Sequence, residues 1–199
     1  MHGKVSLEWM NFAGETLEVD TKSHEAFDLG PLNSTMVIQY PNLNQTLKQN
    51  DVDSRDVVLR LSLTAHDSNN RQRYTHTSYF HPTSLAQAPL QDPGLKLEML
   101  GSEKSHWHHS GPHRHHSGYQ GHHSWSHQVS FRVTASKAVA AWVWIDYTST
   151  AVQGYWSDNG FWLSKGESKV ATFNVWNDWS DGRWTDTVSV RSLWDNKGH

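Results

Sequence analysis

The sequence predicts an all-β protein, two β-sandwiches on either side of a His-rich segment. Three observations carry that prediction. Short runs alternate apolar and polar residues, which turns every second side chain to one face of a strand. Val, Thr and Ser are abundant and Trp occurs 11 times, a composition that fits a pleated, half-buried surface better than a helix. No stretch sustains helical periodicity.

The first predicted module is residues 1–100. Lys4–Met10 puts Val5, Leu7 and Trp9 on one face, with polar or long side chains between them. Leu17–Asp20 is a short strand after the Ala13-Gly14 turn. Met36–Tyr40 is a compact apolar strand ended by Pro41, which has no N–H to give a ladder. Val57–Ala65 is the clearest strand: Val57, Leu59, Leu61 and Leu63 line one face, Arg60, Ser62 and Thr64 the other. Arg73–Phe80 is polar yet β-prone, the mark of an edge or curved strand. Pro82, Pro89 and Pro93 punctuate the loop leading to Leu95–Leu100. Strands at this spacing describe a sandwich.

Residues 101–128 are almost devoid of aliphatic side chains and hold nine of the fifteen His. Such a composition buries too little apolar surface to offset its ordering entropy, which predicts a flexible linker or surface loop between the modules. The second module is residues 129–199. Val129–Thr134 alternates, and Val139–Tyr147 is apolar on both faces, as a central strand is. Shorter strands follow near Tyr155–Trp156, Phe161–Leu163, Lys169–Val175 and Thr187–Leu193. Asp158-Asn159-Gly160 and Ser180-Asp181-Gly182 are turns, since Asn, Asp and Gly tolerate positive φ. A module this small is marginal alone and leans on a partner.

Composition also excludes function classes. With 17 basic and 20 acidic side chains the net charge is −3, which supplies no field for nucleic acid. No apolar run approaches the roughly 18–20 residues that span a bilayer. The absence of Cys removes disulfides, thiolate zinc sites and Cys nucleophiles together. The N-terminal Met-His-Gly-Lys-Val-Ser-Leu-Glu-Trp has no apolar core of a signal peptide.

One passage has a familiar order: Trp142-Val143-Trp144-Ile145-Asp146, then Gly154-Tyr155-Trp156-Ser157-Asp158-Asn159-Gly160-Phe161, then Gly166-Glu167 and Lys169-Val170. It resembles the C-terminal immunoglobulin-like domain of β-mannosidases, retaining exo-glycosidases of glycoside hydrolase family 2 type. Tyr74–Pro82, leading to Asp92-Pro93-Gly94-Leu95, resembles the preceding sandwich domain of the fungal enzymes. The resemblance implies two immunoglobulin-like domains whose partners are the catalytic barrel and N-terminal domains of a parent glycosidase, with an architectural role of bracing the barrel and shaping the rim of its pocket, and with mannan-type oligosaccharide as a further partner. It also implies a parent secreted or vacuolar, releasing terminal non-reducing β-D-mannose. Family enzymes carry two catalytic Glu with carboxyls roughly 5–5.5 Å apart, on a barrel of about 250 residues. A chain of 199 residues without βα alternation has no room for that barrel. The expectation is therefore a C-terminal fragment, inactive alone, with no catalytic residue and no cofactor.

Each candidate site is weighed against an ordinary structural role. Glu8, Glu15, Glu18, Glu98, Glu103 and Glu167 show no acid/base pairing. Asp158, Asn159 and Gly160 read as a structural turn whose side chains bond the backbone. His106, His108, His109, His113, His115 and His116 are imidazoles that suit Zn, Cu or Ni, but a Ser/Gly-rich segment offers few groups to orient them, so the metal affinity expected is adventitious and not dedicated. Trp142 and Trp144 share one face of their strand and read as packing or interdomain contacts. Trp176, Trp179 and Trp184 crowd one predicted loop, which implies a covered surface or, in a free-standing carbohydrate-binding module, a sugar contact. Asn33-Ser34-Thr35 and Asn44-Gln45-Thr46 are sequons, which places candidate glycans at Asn33 and Asn44 on a polar loop.

Overall fold

The computed structural model describes residues 1–19, 21, 23–67, 72–104 and 127–197. The chain divides into two compact units, 1–91 and 92–199. The division falls ahead of Leu95–Leu100, not at residue 100, because that segment pairs within the second unit.

In the first unit, β1 (His2–Met10), β2 (His24–Asp28), β3 (Val58–His66) and β4 (Arg73–Phe80) make one antiparallel sheet in the order β2-β1-β3-β4. The alternation in the sequence sets the faces. Val5 pairs with Leu63, Leu7 with Leu61 and Trp9 with Leu59, so one face is apolar. On the other face Arg60 meets Glu8 at 3.5 Å. As the sequence predicts, β4 is an edge, and most of it is exposed.

The apolar face is covered, among the described residues, by helix α1 (Leu43–Gln49) and by coil. Leu47, Val57 and Leu59 are buried with Leu7 and Trp9, and Leu17, Val19, Ile38 and Tyr40 pack against them. Met36–Tyr40 is therefore no strand: it runs as coil, with Ile38 and Tyr40 packed against the core and Met36 exposed. Of Leu17–Asp20, residues 17–19 are likewise coil and Asp20 lies outside the described residues; beside them a bridge joins Thr16 to Met10. Two elements escaped the sequence pattern. β2 is short and polar, and α1 spans too few residues to display a period, although Asn42 caps it by accepting from the Gln45 N–H.

Among the described residues the second unit is a sandwich of seven strands of the immunoglobulin kind. β5 (Leu95–Lys104), β6 (His127–Ala135), β8 (Val152–Trp156) and β10 (Ser168–Asp178) form one sheet, in the order β5-β6-β10-β8. β7 (Ala140–Tyr147), β9 (Phe161–Leu163) and β11 (Val188–Arg191) form the other, in the order β11-β7-β9. Val133, Ala135 and Ala171 from the first sheet meet Val143, Ile145, Phe161 and Leu163 from the second. A continuing aromatic cluster holds Phe131, Phe173 and Trp184.

The pairing of β5 with β6 corrects the linker at 101–128. Glu103 faces Gln128 and Lys104 faces His127 across the ladder, so residues 101–104 and 127–128 are strand. The segment connects two paired strands of one sheet, not two modules. His106, His108, His109, His113, His115 and His116 lie outside the described residues.

Candidate functional site

The aromatic side chains singled out in the sequence separate into three environments, all in the second unit. The first is the outer face of β7. Period two turns Val143 and Ile145 into the core and Trp142 and Trp144 outward, where they stay 52% and 47% exposed. They are not core residues. A bulge between Ala140 and Val143 breaks the register with β9, and Trp142 adopts φ 51°, a left-handed conformation unusual for a bulky residue. Its ring meets that of Trp162 edge-on at 6.2 Å. Beside them Gly160 adopts φ 70°, a conformation that disfavours any side chain, and the Trp144 ring lies 3.5 Å from where a Cβ would sit, an ordinary contact.

The turn that carries Gly160 is fixed by Asn159. Its Oδ1 accepts from the Ile145 N–H at 2.8 Å while its Nδ2 donates to the Ile145 carbonyl at 2.8 Å. The Gly160 N–H donates to the Val143 carbonyl at 2.9 Å. Asp158 is ion-paired with Lys169. These bonds give the three turn residues a structural office.

The second environment is buried. Trp184 is 1% exposed and packs on Phe173, Tyr147 and Phe131. It is a core residue because the turn before it is held by Asp178, which accepts from the Ser180 N–H, the Ser180 hydroxyl and the Gly182 N–H at 2.7–2.9 Å. The Ser180 Oγ in turn accepts from the Trp184 N–H at 3.0 Å. Burial pushes the Asp178 carboxyl up, but these hydrogen bonds and the nearby His127 outweigh it and hold the group below its ordinary value.

The third environment is the outer face of β8 and β10. Trp176 sits on β10, not in a loop, and its ring lies 5.5 Å from that of Tyr155. Both are about half exposed, at 55% and 52%, and Trp179 beyond them is 64% exposed. The loop trio of the sequence is thus one core residue and two surface residues. Tyr155 was not legible as a candidate, since only the register of β8 against β10 brings it beside Trp176.

The sequons differ as well. Asn33 is exposed on coil, as expected, whereas Asn44 lies in α1 and not on a loop. The Thr46 hydroxyl there donates to the Asn42 carbonyl at 3.2 Å. Asn44 borders a cleft of about 380 Å³ that Leu47, Val52, Asp53 and Thr83 also line.

Residues 1–83 match a family described as a mannosidase Ig/CBM-like domain, and residues 119–196 match the Ig-fold domain of mannosidases. The chain belongs to the immunoglobulin-like domains of β-mannosidases. These β-mannosidase-type domains are 30% identical over 199 residues to β-mannosidase A of Aspergillus flavus, covering 97% of this chain and 18% of that protein. To β-mannosidase A of Aspergillus niger they are 31% identical over 201 residues, covering 98% of this chain and 18% of that protein. The β-mannosidase-type pair thus spans under a fifth of the length of these relatives and corresponds to a non-catalytic module. Among solved structures, the exo-chitosanase CsxA of Amycolatopsis orientalis covers 97% of this chain and 24% of its own, at TM-score 0.48 and 10% identity.

Proposed function

We propose that the chain is the architectural module of a β-mannosidase-like hydrolase that releases terminal non-reducing β-D-mannose, and that its second unit docks on the catalytic barrel through Trp142 and Trp144. The observation that carries this reading is the outer face of β7. Two large rings stand half exposed there, on a strand whose backbone is strained to aim one of them outward. An apolar face held this rigidly fits a covering partner better than water. The work of the module is to brace the barrel and shape the rim of its pocket.

Several finer assignments belong to the same proposal. The parent enzyme is secreted or vacuolar, and Asn33 and Asn44 carry its glycans. Support comes from the sequons and from the fungal relatives. No helix among the described residues is long and apolar enough to cross a membrane.

The test is hydrolysis of a chromogenic β-mannoside by the purified chain alone, beside the same chain mixed with a barrel-containing partner. The expected result is no turnover alone, and binding to the partner that W142S/W144S abolishes. Turnover by the chain alone, or binding indifferent to both substitutions, overturns the reading.

A further inference from the structure

The outer face of the four-stranded sheet carries a second surface, away from β7 and independent of the bracing role. Two neighbouring rows of side chains cross it. In one, Gln128 of β6, Asn174 of β10 and Tyr155 of β8 stand opposite one another. The Gln128 Nε2 donates to the Asn174 Oδ1 at 2.9 Å. In the next, Ser130 and Thr172 face each other with their hydroxyls 3.0 Å apart. At the other flank Asn177 donates to the Gln153 Oε1 at 3.2 Å. Between the amide pairs rise the Tyr155 and Trp176 rings, tilted by 46° to each other.

The chemistry of this patch is uniform. Among its described side chains there are amides, hydroxyls and two exposed rings, and none is charged. Among the described residues, Arg132 with Glu98 is the nearest ion pair, one row beyond Ser130 on the same face, and Lys137 with Asp92, Lys169 with Asp158 and Arg191 with Asp146 involve other side chains. Each bonded amide pair uses one donor and one acceptor, and an amide offers two N–H and two lone pairs, so capacity remains on both flanks of the rings. Rings that give apolar area, bordered by neutral groups that both donate and accept, match a ligand with apolar C–H faces and a rim of hydroxyls. A lipid would leave those amides unpaired, and among the described side chains between the two amide pairs no charge stands ready to pair with an ion.

The platform is also preformed. The β10 register shifts between Val175 and Asn177, so that the bulge falls on Trp176. Beneath the rings Gly154 lets β8 approach β10 closely, since a Cβ there would sit 2.2 Å from the Asn174 carbonyl oxygen. A rigid shelf loses little freedom when it binds.

From this we infer that Tyr155 and Trp176, flanked by Gln128, Asn174, Gln153 and Asn177, form a binding platform for the pyranose rings of a neutral glycan. It is a non-catalytic site that would hold the module on an uncharged oligosaccharide.

Isothermal titration calorimetry of the full chain tests it, with mannohexaose and cellohexaose as neutral probes and an oligogalacturonate as the acidic comparison. A neutral probe binds and the acidic one does not. W176A and Y155A each weaken binding about tenfold, while Y155F, which keeps the ring, stays within about threefold of the unchanged chain. Both side chains are surface ones, and a cooperative thermal unfolding transition at an unchanged midpoint shows that the variants fold. Absence of binding to either neutral probe, or binding indifferent to W176A, overturns the inference. So does a chain that self-associates and becomes monomeric in W176A without any sugar response, because the face is then an interface between copies.

Discussion

Asn159 bonds to Ile145 as a strand partner would: one side-chain amide takes both the N–H and the carbonyl of that residue, each at 2.8 Å. β9 pairs with β7 only from Ala140 to Val143, so the ladder on that side of β7 stops short of Ile145. The Asn159 amide extends it by one residue and seats Gly160 under the Trp144 ring. Asp cannot replace it, because a carboxylate accepts but does not donate. N159D is therefore expected to destabilise the second unit by about 1–3 kcal/mol, read from the midpoint of urea unfolding.

Trp184 and Trp179 stand five residues apart and should respond in opposite ways. Trp184 is enclosed by aromatic rings, so W184A opens a cavity and costs about 3–5 kcal/mol. Trp179 is 64% exposed, and W179A should change stability by no more than about 0.5 kcal/mol. Thermal unfolding of the two variants decides; equal losses would place Trp184 outside the core.

The backbone at Trp142 makes an unusual prediction about glycine. In an ordinary strand Gly is less stable than Ala, but φ 51° penalises any side chain at this position. W142G should be more stable than W142A by about 1 kcal/mol. Chemical denaturation of both variants checks the sign, and a more stable W142A removes the strain argument.

Acid should loosen the turn that holds Trp184. The Asp178 pKa is lowered on folding, so its contribution is present above the unfolded-state value and fades as pH falls through the folded one. D178N, which loses acceptor strength toward Ser180 and Gly182, is expected to cost about 1–2 kcal/mol at neutral pH. It should also flatten the loss of stability between about pH 5 and the low pKa. Unfolding midpoints measured across that range for both proteins give the comparison, and parallel curves would count against the role.

Among the described glycines of the second unit, Gly154 leaves the least room for a side chain. A methyl group there collides with the backbone oxygen of Asn174 and with the Phe173 ring. G154A is expected to cost about 1–3 kcal/mol and to shift the β8–β10 register that places Tyr155 by Trp176. A two-dimensional amide spectrum should show perturbations concentrated on β8 and β10.

The strands were legible wherever alternation was clean. β6 and β10 bury alternate side chains as their sequences require, and in β1 Leu7 and Trp9 are buried on either side of exposed Glu8. Met36–Tyr40 misled because an apolar run can cover a core as coil, without any ladder. α1 was invisible because its buried residue is Leu47 alone, and one residue sets no period. The module boundary failed for a similar reason. The polar stretch 101–128 reads as a break between modules, yet its two ends are hydrogen-bonded to each other, and pairing between distant segments leaves no mark on composition.

The sequence by itself determined the class of fold and the family, because strand alternation, Asn-Gly turns and the Trp142–Gly160 passage are local patterns. Only the tertiary structure decided what each tryptophan does. Neighbours in one short stretch, Trp176, Trp179 and Trp184 part company because register, a bulge and a hydrogen-bonded turn direct each ring separately. Which rings a tryptophan meets depends on what stands opposite it, and that partner comes from elsewhere in the chain: Tyr155 for Trp176, Phe131 for Trp184.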